Sequence, residues 1–367
     1  MRLKLPETNL TWLWDRTLFL TRHGSHAYGT NIEGSDEDFK GFAVPPKIYF
    51  HGYSKVFEQA EFKKDPDMVV YGVKKFFKLA ADCNPSIIEV LFTDPSDHQI
   101  VHPLAARILQ KRDLFISRKA KHTFSGYAVS QLKKIRSHKR WIDNGPQKPP
   151  ERSDFGLPAN PLIPKNQMDA VMSAIRKQIE AWDVDLTHMD DAARIDLQGR
   201  IAEALAEQGV LKDNQWILAG KKLGLDDNFI DLMDRERQFN NAVNEWRSYQ
   251  TWLATRNEKR SELERKWGYD TKHGMHLVRL MRMCGEILRG EGVKVKRPDA
   301  EELLAIRNGL WTYDQLLAWA DEKEKEFEQL YAASPLPKSP PVNALDDLLT
   351  SVVEEGLNSL PGDGHGR

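Results

Sequence analysis

Short apolar runs set off by polar turns fill the first hundred residues, and three- and four-residue apolar spacing takes over afterwards. Residues 17–22 (TLFLTR) and 39–44 (FKGFAV) read as short strands, and 67–71 (DMVVY) as a third that feeds a helix, GVKKFFKLAADC (72–83). Asn84-Pro85 ends that helix, because proline bars the preceding residue from helical geometry. After a short apolar run, IIEVLF (87–92), the segments 103–112 and 124–142 carry helical spacing. The stretch 144–165 holds six prolines and two glycines, too many for a regular element. Several helices are predicted from Asn166 to Arg289, then an extended KVKRP (294–298). A further helix follows, capped by Asp299 with Glu302 three positions on and stopped by Asn308-Gly309. From Gly356 onward apolar periodicity is lost, which predicts a frayed, disordered tail over 356–367.

The chain of 367 residues has room for two or three domains. Its 53 Lys and Arg nearly cancel 54 Asp and Glu, and aromatics make up 9%, so it is neither a disordered tail protein nor uniformly basic. Any nucleic-acid surface must therefore be local. Cys83 and Cys284 lack CxxC spacing, which argues against a disulfide framework or a thiolate zinc site. With no charged-then-apolar leader and no run of about 18 apolar residues, the expectation is a cytoplasmic protein that does not cross a membrane.

The stretch GSHAYGTNIEGSDEDFKGF (24–42) pairs a glycine and serine with three adjacent carboxylates, Asp36, Glu37 and Asp38. On a strand, Asp36 and Asp38 leave the same face and Glu37 the other. Two carboxylates on one face suit a magnesium ion, which takes hard oxygen ligands and keeps substrate phosphates in its shell. Gly24-Ser25 would supply the phosphate contact: glycine lets the backbone come close, and the hydroxyl and neighbouring N–H groups donate to phosphate oxygens. Each motif alone also fits an ordinary surface turn.

Gly24-Ser25, ten intervening residues and Asp36-x-Asp38 resemble the signature of the DNA polymerase β nucleotidyltransferase superfamily. With Ala27-Tyr28-Gly29-Thr30 and Ser35, the stretch resembles more narrowly the YcgL/RlaP-type family, whose name links it to an RNA repair pathway. The blocks 269–283, 295–309 and 334–337 resemble that family's C-terminal blocks, whereas residues 145–230 match nothing recognisable. The resemblance implies an α+β fold: a small N-terminal polymerase β-like palm, a mixed sheet with helices, followed by a mainly helical C-terminal domain. The expected division is a catalytic domain over 1–115, a basic linking helix over 116–143, a Pro-rich loop or linker over 144–165 and a helical domain over 166–355, with 166–230 as an insertion. It further implies that Asp36 and Asp38 hold two Mg²⁺ ions, Mn²⁺ being an alternative, and that Asp67 completes the metal activating the attacking hydroxyl, with Asp65 its competitor. Gly24 and Ser25 would hold the triphosphate.

From Arg118 to Arg152, ten Lys or Arg face two acids, a local excess of eight positive charges. On a helix, Tyr127, Gln131, Lys134 and His138 form one polar stripe. Such a stripe is either a solvated face or a surface for a base and phosphates, and Tyr127, Gln131 and Lys134 are taken as nucleotide contacts, Lys134 for a phosphate. Lys272, His276 and Arg279 repeat the spacing inside a family-like block, and Lys272 and His276 are taken as further nucleotide contacts. His273 and His276 could ligate a metal with a carboxylate, although no HExxH accompanies them. Trp246, Tyr249 and Trp252 alternate with arginines, as core packing or as stacking platforms for RNA.

The expected activity is transfer of a nucleoside monophosphate from an NTP to an acceptor hydroxyl, with an RNA 3′ end, tRNA included, as the acceptor and RNA as partner. The alternatives are nucleotidylation of a protein or small molecule, and a catalytically silent RNA-binding protein.

Overall fold

The computed structural model describes residues 3–63, 66–180, 220–255 and 258–361. The three strands expected from the apolar runs are β1 (Thr17–His23), β2 (Asp38–Ala43) and β4 (Asp67–Gly72), and they form the centre of one five-stranded sheet. Its edges are β3 (Gln59–Phe62) and β5 (His98–Val101), in the order β3-β4-β2-β1-β5. These edges escape the sequence pattern because each has four residues, a single paired neighbour and mixed polarity. Only β2 and β4 run parallel, which makes the sheet mixed.

Strand alternation divides the core in two. Leu20, Phe39, Ala43, Met68 and Val70 pack against Trp12 and Leu13 on one face. The other face carries Phe42, which joins a larger core with Phe76, Phe115, Phe124 and Leu132. Phe19, Phe42 and Phe76 are wholly buried. Full burial of each such side chain contributes about 1.5–3 kcal/mol.

The helices of this part are α1 (Gly24–Tyr28), α2 (Ile48–His51), α3 (Val73–Ala81), α4 (Pro85–Leu91), α5 (Pro103–Gln110) and α6 (Ala120–Asn144), of which α3 to α6 bring Phe76, Ile88, Ile108 and Phe124 to the larger core. Asn84-Pro85 both ends α3 and starts α4: the Asn84 side chain accepts from the Ser86 N–H, and proline occupies the first helical turn, where its missing N–H costs nothing. The apolar run 87–92 is thus mostly helix.

Contacts divide the chain into two units, Met1–Asp143 with Asn257–Arg367, and Asn144–Arg256. The second contains α7 (Lys165–Glu180) and α8 (Asp227–Thr255). In it Arg152 forms a two-pronged pair with Glu236, and the rings of Tyr249 and Trp252 stack at 5.8 Å. The C-terminal part of the first unit is helical: α9 (Glu258–Trp267), α10 (Thr271–Leu288), α11 (Ala300–Arg307), α12 (Tyr313–Ala333) and α13 (Val342–Ser359). The architecture is therefore the expected α+β one, a mixed sheet with helices followed by a mainly helical remainder. Asp299 precedes α11 without capping it by its side chain. Arg282 takes both expected capping residues, bonding Asp299 at 2.6 Å and Glu302 at 2.8 Å, because a guanidinium offers a carboxylate more than one backbone N–H does.

Both cysteines are buried, unbridged thiols, and burial pushes Cys284 up to about 12. No helix among the described residues is long and apolar enough to cross a membrane.

Candidate active site at the strand ends

Antiparallel β1–β2 and parallel β2–β4 pairing bring the end of β1 and the starts of β2 and β4 to one edge of the sheet. The register sets His23 opposite Asp38, and Asp38 opposite Asp67. Asp38, Lys40 and Phe42 share a face by period two, and the burial of Met68 and Val70 against the other core puts Asp67 on that same face. Gly24 follows β1 with φ of +71°, and a Cβ built on it would lie 2.4 Å from Asp38 Oδ2. Glycine is required there twice over, for its dihedral and for the space its missing side chain leaves to the carboxylate.

A cavity of about 500 Å³ opens beside this edge. Ser25, Asp36 and Asp38 line it from the sheet side, and Lys272, His276 and Arg307 from α10 and α11. Asp36 lies just before β2 rather than on it, exposed, yet reaches the same cavity. Glu37 turns away to pair with Arg22 at 3.1 Å. Asp67 is exposed and joins through its pairing with Asp38. Asp65 lies outside the described residues. Tyr127, Gln131 and Lys134 do not line this cavity: all sit on α6, with the Tyr127 hydroxyl accepting from Asn84 Nδ2 at 3.1 Å and Lys134 exposed.

The carboxylates feel one another. Burial, then the charges of Asp67 and Asp36, raise the Asp38 pKa, while Lys40 and Lys272 oppose the rise. Lys40 itself is lowered by burial, against the pull of Glu89, Asp38 and Asp67, and its ammonium donates to Ser86 Oγ. Lys40 went unread in the sequence, although its place two residues after Asp38 was the signal. Arg307 and Glu258, which also line the cavity, carry no local signal, because only the fold brings them near Asp36.

Beneath the strand ends lies a buried ionic network around Glu89, which is 2% exposed. Tyr28 Oη donates to Glu89 Oε2 at 2.6 Å, His23 Nε2 lies 3.2 Å from the same oxygen, and Arg279 binds the other oxygen. The Arg279 guanidinium also sits 3.8 Å from the centre of the Tyr28 ring. Burial alone would raise the Glu89 pKa, but Arg279, His23 and Tyr28 together hold it well below the usual carboxylate range. Burial, then the positive charge of Lys40, lowers the His23 pKa. Burial, then Arg279 and Lys272, lowers that of His276 much further. His276 accordingly faces the cavity as a neutral imidazole.

The basic segment is partly neutralised. Lys119 pairs with Asp82, Lys121 with Glu328, Lys139 with Asp143, and Lys148 with Asp154. Lys133, Lys134 and Arg136 remain exposed on α6.

Residues 7–144 match the RlaP family, the RNA repair pathway DNA polymerase beta family. The resemblance carried by Gly24-Ser25 and Asp36-x-Asp38 is thus borne out over that stretch, which includes β1 to β5 and α6. An uncharacterised 38.9 kDa protein of the nrdC–mobD intergenic region of enterobacteria phage T4 is 35% identical over 89 residues, covering 22% of this chain and 26% of the phage protein. The chain thus spans about a quarter of that relative's length. No solved structure matches. The family match points to a nucleotidyltransferase-type role.

Proposed function

We propose that this chain, whose residues 7–144 match the RNA repair branch of the polymerase β family, transfers a nucleoside monophosphate from an NTP to the 3′ hydroxyl of an RNA. The observation that carries the reading is the register pair Asp38–Asp67, of which Asp38 lines a cavity together with Ser25, Asp36 and Lys272.

The donor set fits hard divalent cations. Asp36, Asp38 and Asp67 offer only oxygen, and the close approach of Gly24 to Asp38 Oδ2 leaves that oxygen a neighbour without a side chain. In this reading Asp36 and Asp38 hold both Mg²⁺ ions, or Mn²⁺ in their place, and Asp67 one. Bound there, the ions supply neutralisation of the charge gathering on the phosphates and acidify the attacking hydroxyl.

The chain's own groups do the rest. Ser25 donates to the triphosphate, and Lys272 and Arg307 present cations to its oxygens. Neutral His276 gives or takes a hydrogen bond without adding charge. The acceptor oxygen forms a bond to the α-phosphorus, the bond to the β-phosphate oxygen breaks, pyrophosphate leaves, and the hydroxyl proton passes to Asp67. Exposed Lys133, Lys134 and Arg136 on α6 are the cations for the RNA backbone.

The acceptor is tested by supplying each α-labelled NTP with Mg²⁺ and either RNA, protein extract or small hydroxyl compounds. Label in RNA, lost after periodate oxidation of its 3′ ends and weakened by added salt, is the expected result. Label in protein or in small molecules instead would move the acceptor assignment while keeping the chemistry.

A further inference from the structure

Three helices bring a second set of ligand-type side chains together, and none of them belongs to the carboxylate set at the strand ends. His138 comes from the last third of α6, Glu264 from α9, Asp270 from the N-cap of α10, and His273 from its first turn. Asp270 uses one oxygen, Oδ1, to cap α10 by accepting from the His273 N–H at 3.0 Å. That bond turns Oδ2 toward the rings, 3.5 Å from His273 Nε2 and 3.9 Å from His138 Nδ1. Glu264 Oε1 lies 3.8 Å from the same His138 nitrogen. One ligand atom each from His138, Asp270 and His273 fall within 4.8 Å of one another.

These separations are longer than N–H···O hydrogen bonds. They approach the roughly 3.4 Å edge of a tetrahedron whose bonds are about 2.0–2.1 Å, the lengths zinc takes to imidazole nitrogen and carboxylate oxygen. Glu264 and Asp270 are 1% and 2% exposed, while His138 and His273 are only half-buried, so the carboxylates are shielded and the imidazole side keeps room for a water. The His138 ring is held in place by stacking on Trp141, with an interplanar angle of 27°.

We infer that His138, Asp270 and His273 bind one zinc ion, with a water as its fourth ligand and Glu264 beside the His138 ring. Two imidazoles select a first-row cation of zinc type over magnesium or calcium, and the Asp270 carboxylate, with Glu264 nearby, offsets its charge. The ion staples α6 to the start of α10, the helix that carries Lys272 and His276 into the nucleotide cavity. His273 and His276, three residues apart, thus serve different sites: His276 faces the cavity and His273 the staple.

The test uses the tag-free full chain, loaded with zinc, dialysed against metal-free buffer and measured by elemental analysis. The expected result is about one zinc per chain, retained in Asp36→Ala plus Asp38→Ala, and reduced to about a tenth or less in His138→Gln plus His273→Gln. Asp270→Asn, which keeps a capping oxygen, should also weaken retention. Absence of retained zinc in the wild type, or full retention in the double histidine variant, overturns the inference. Should that variant fail to fold, cobalt in the wild type decides the matter: strong visible bands of four-coordinate cobalt support the site, and the pale spectrum of six-coordinate cobalt contradicts it.

Discussion

The α-carbon of Gly24 approaches Asp38 so closely that a Cβ would stand 2.4 Å from the Asp38 Oδ2 atom. The turn that would take up phosphates and the carboxylate that would take up metal are therefore built against each other. Gly24→Ala must also hold φ at +71°, where a side chain costs about 1–3 kcal/mol. The variant is expected to lose several degrees of melting temperature and most of its transfer activity. Wild-type activity in Gly24→Ala would separate the turn from the carboxylate.

Asp67 faces Asp38 across the parallel pair of strands and is exposed, so the fold does not depend on it. Asp67→Asn should abolish transfer while leaving the melting temperature within about a degree, since surface substitutions rarely exceed ±0.5 kcal/mol. Asp65→Asn should leave transfer unchanged. A side-by-side assay of the two variants checks the assignment, and the opposite pattern would hand the role to Asp65.

Glu89 binds Arg279, Tyr28 and His23 in a buried setting. Removing its charge by Glu89→Gln leaves Arg279 buried beside a neutral amide, an arrangement that costs about 3–5 kcal/mol. Chemical denaturation should show a lower midpoint at unchanged slope. Since Tyr28 belongs to α1, which begins at Gly24, transfer activity should fall as well.

His23 and His276 both have folded-state pKa values below the ordinary 6.5, so the unfolded chain binds more protons between the two values. Their contribution to stability is complete above about pH 6.5 and is lost as pH falls toward the folded values. Melting temperature should be flat above pH 7 and decline below 6.5, and His276→Gln should flatten the decline. A melting temperature that rises on acidification through this range would contradict the burial of neutral imidazoles.

Much of this arrangement was legible because it is local. The apolar runs gave β1, β2 and β4, and Asp36-x-Asp38 stood out as a repelling group that needed a cation. What was illegible is what only the fold assembles. The edge strands β3 and β5 are too short for a pattern to form, and Arg307 meets Asp36 only across the cavity. The α6 stripe shows the converse: Tyr127, Gln131 and Lys134 do share helical spacing with His138, but none of them lines the cavity, which opens beside α10 and α11. Spacing defines a face and says nothing of what that face meets. The same holds for His273, whose companion is His138, far away in sequence, rather than His276 on its own helix.

The central claim is that Asp36 and Asp38 hold the metal-bound NTP for transfer. Its most direct measurement is incorporation of α-labelled NTP into RNA by the wild type and by Asp36→Ala plus Asp38→Ala, at matched folding and with Mg²⁺ or Mn²⁺. Labelling by the wild type that requires the divalent ion and drops at least about a thousandfold in the double variant, about 4 kcal/mol of lost transition-state stabilisation, is the predicted result. Undiminished labelling by the double variant would contradict the account.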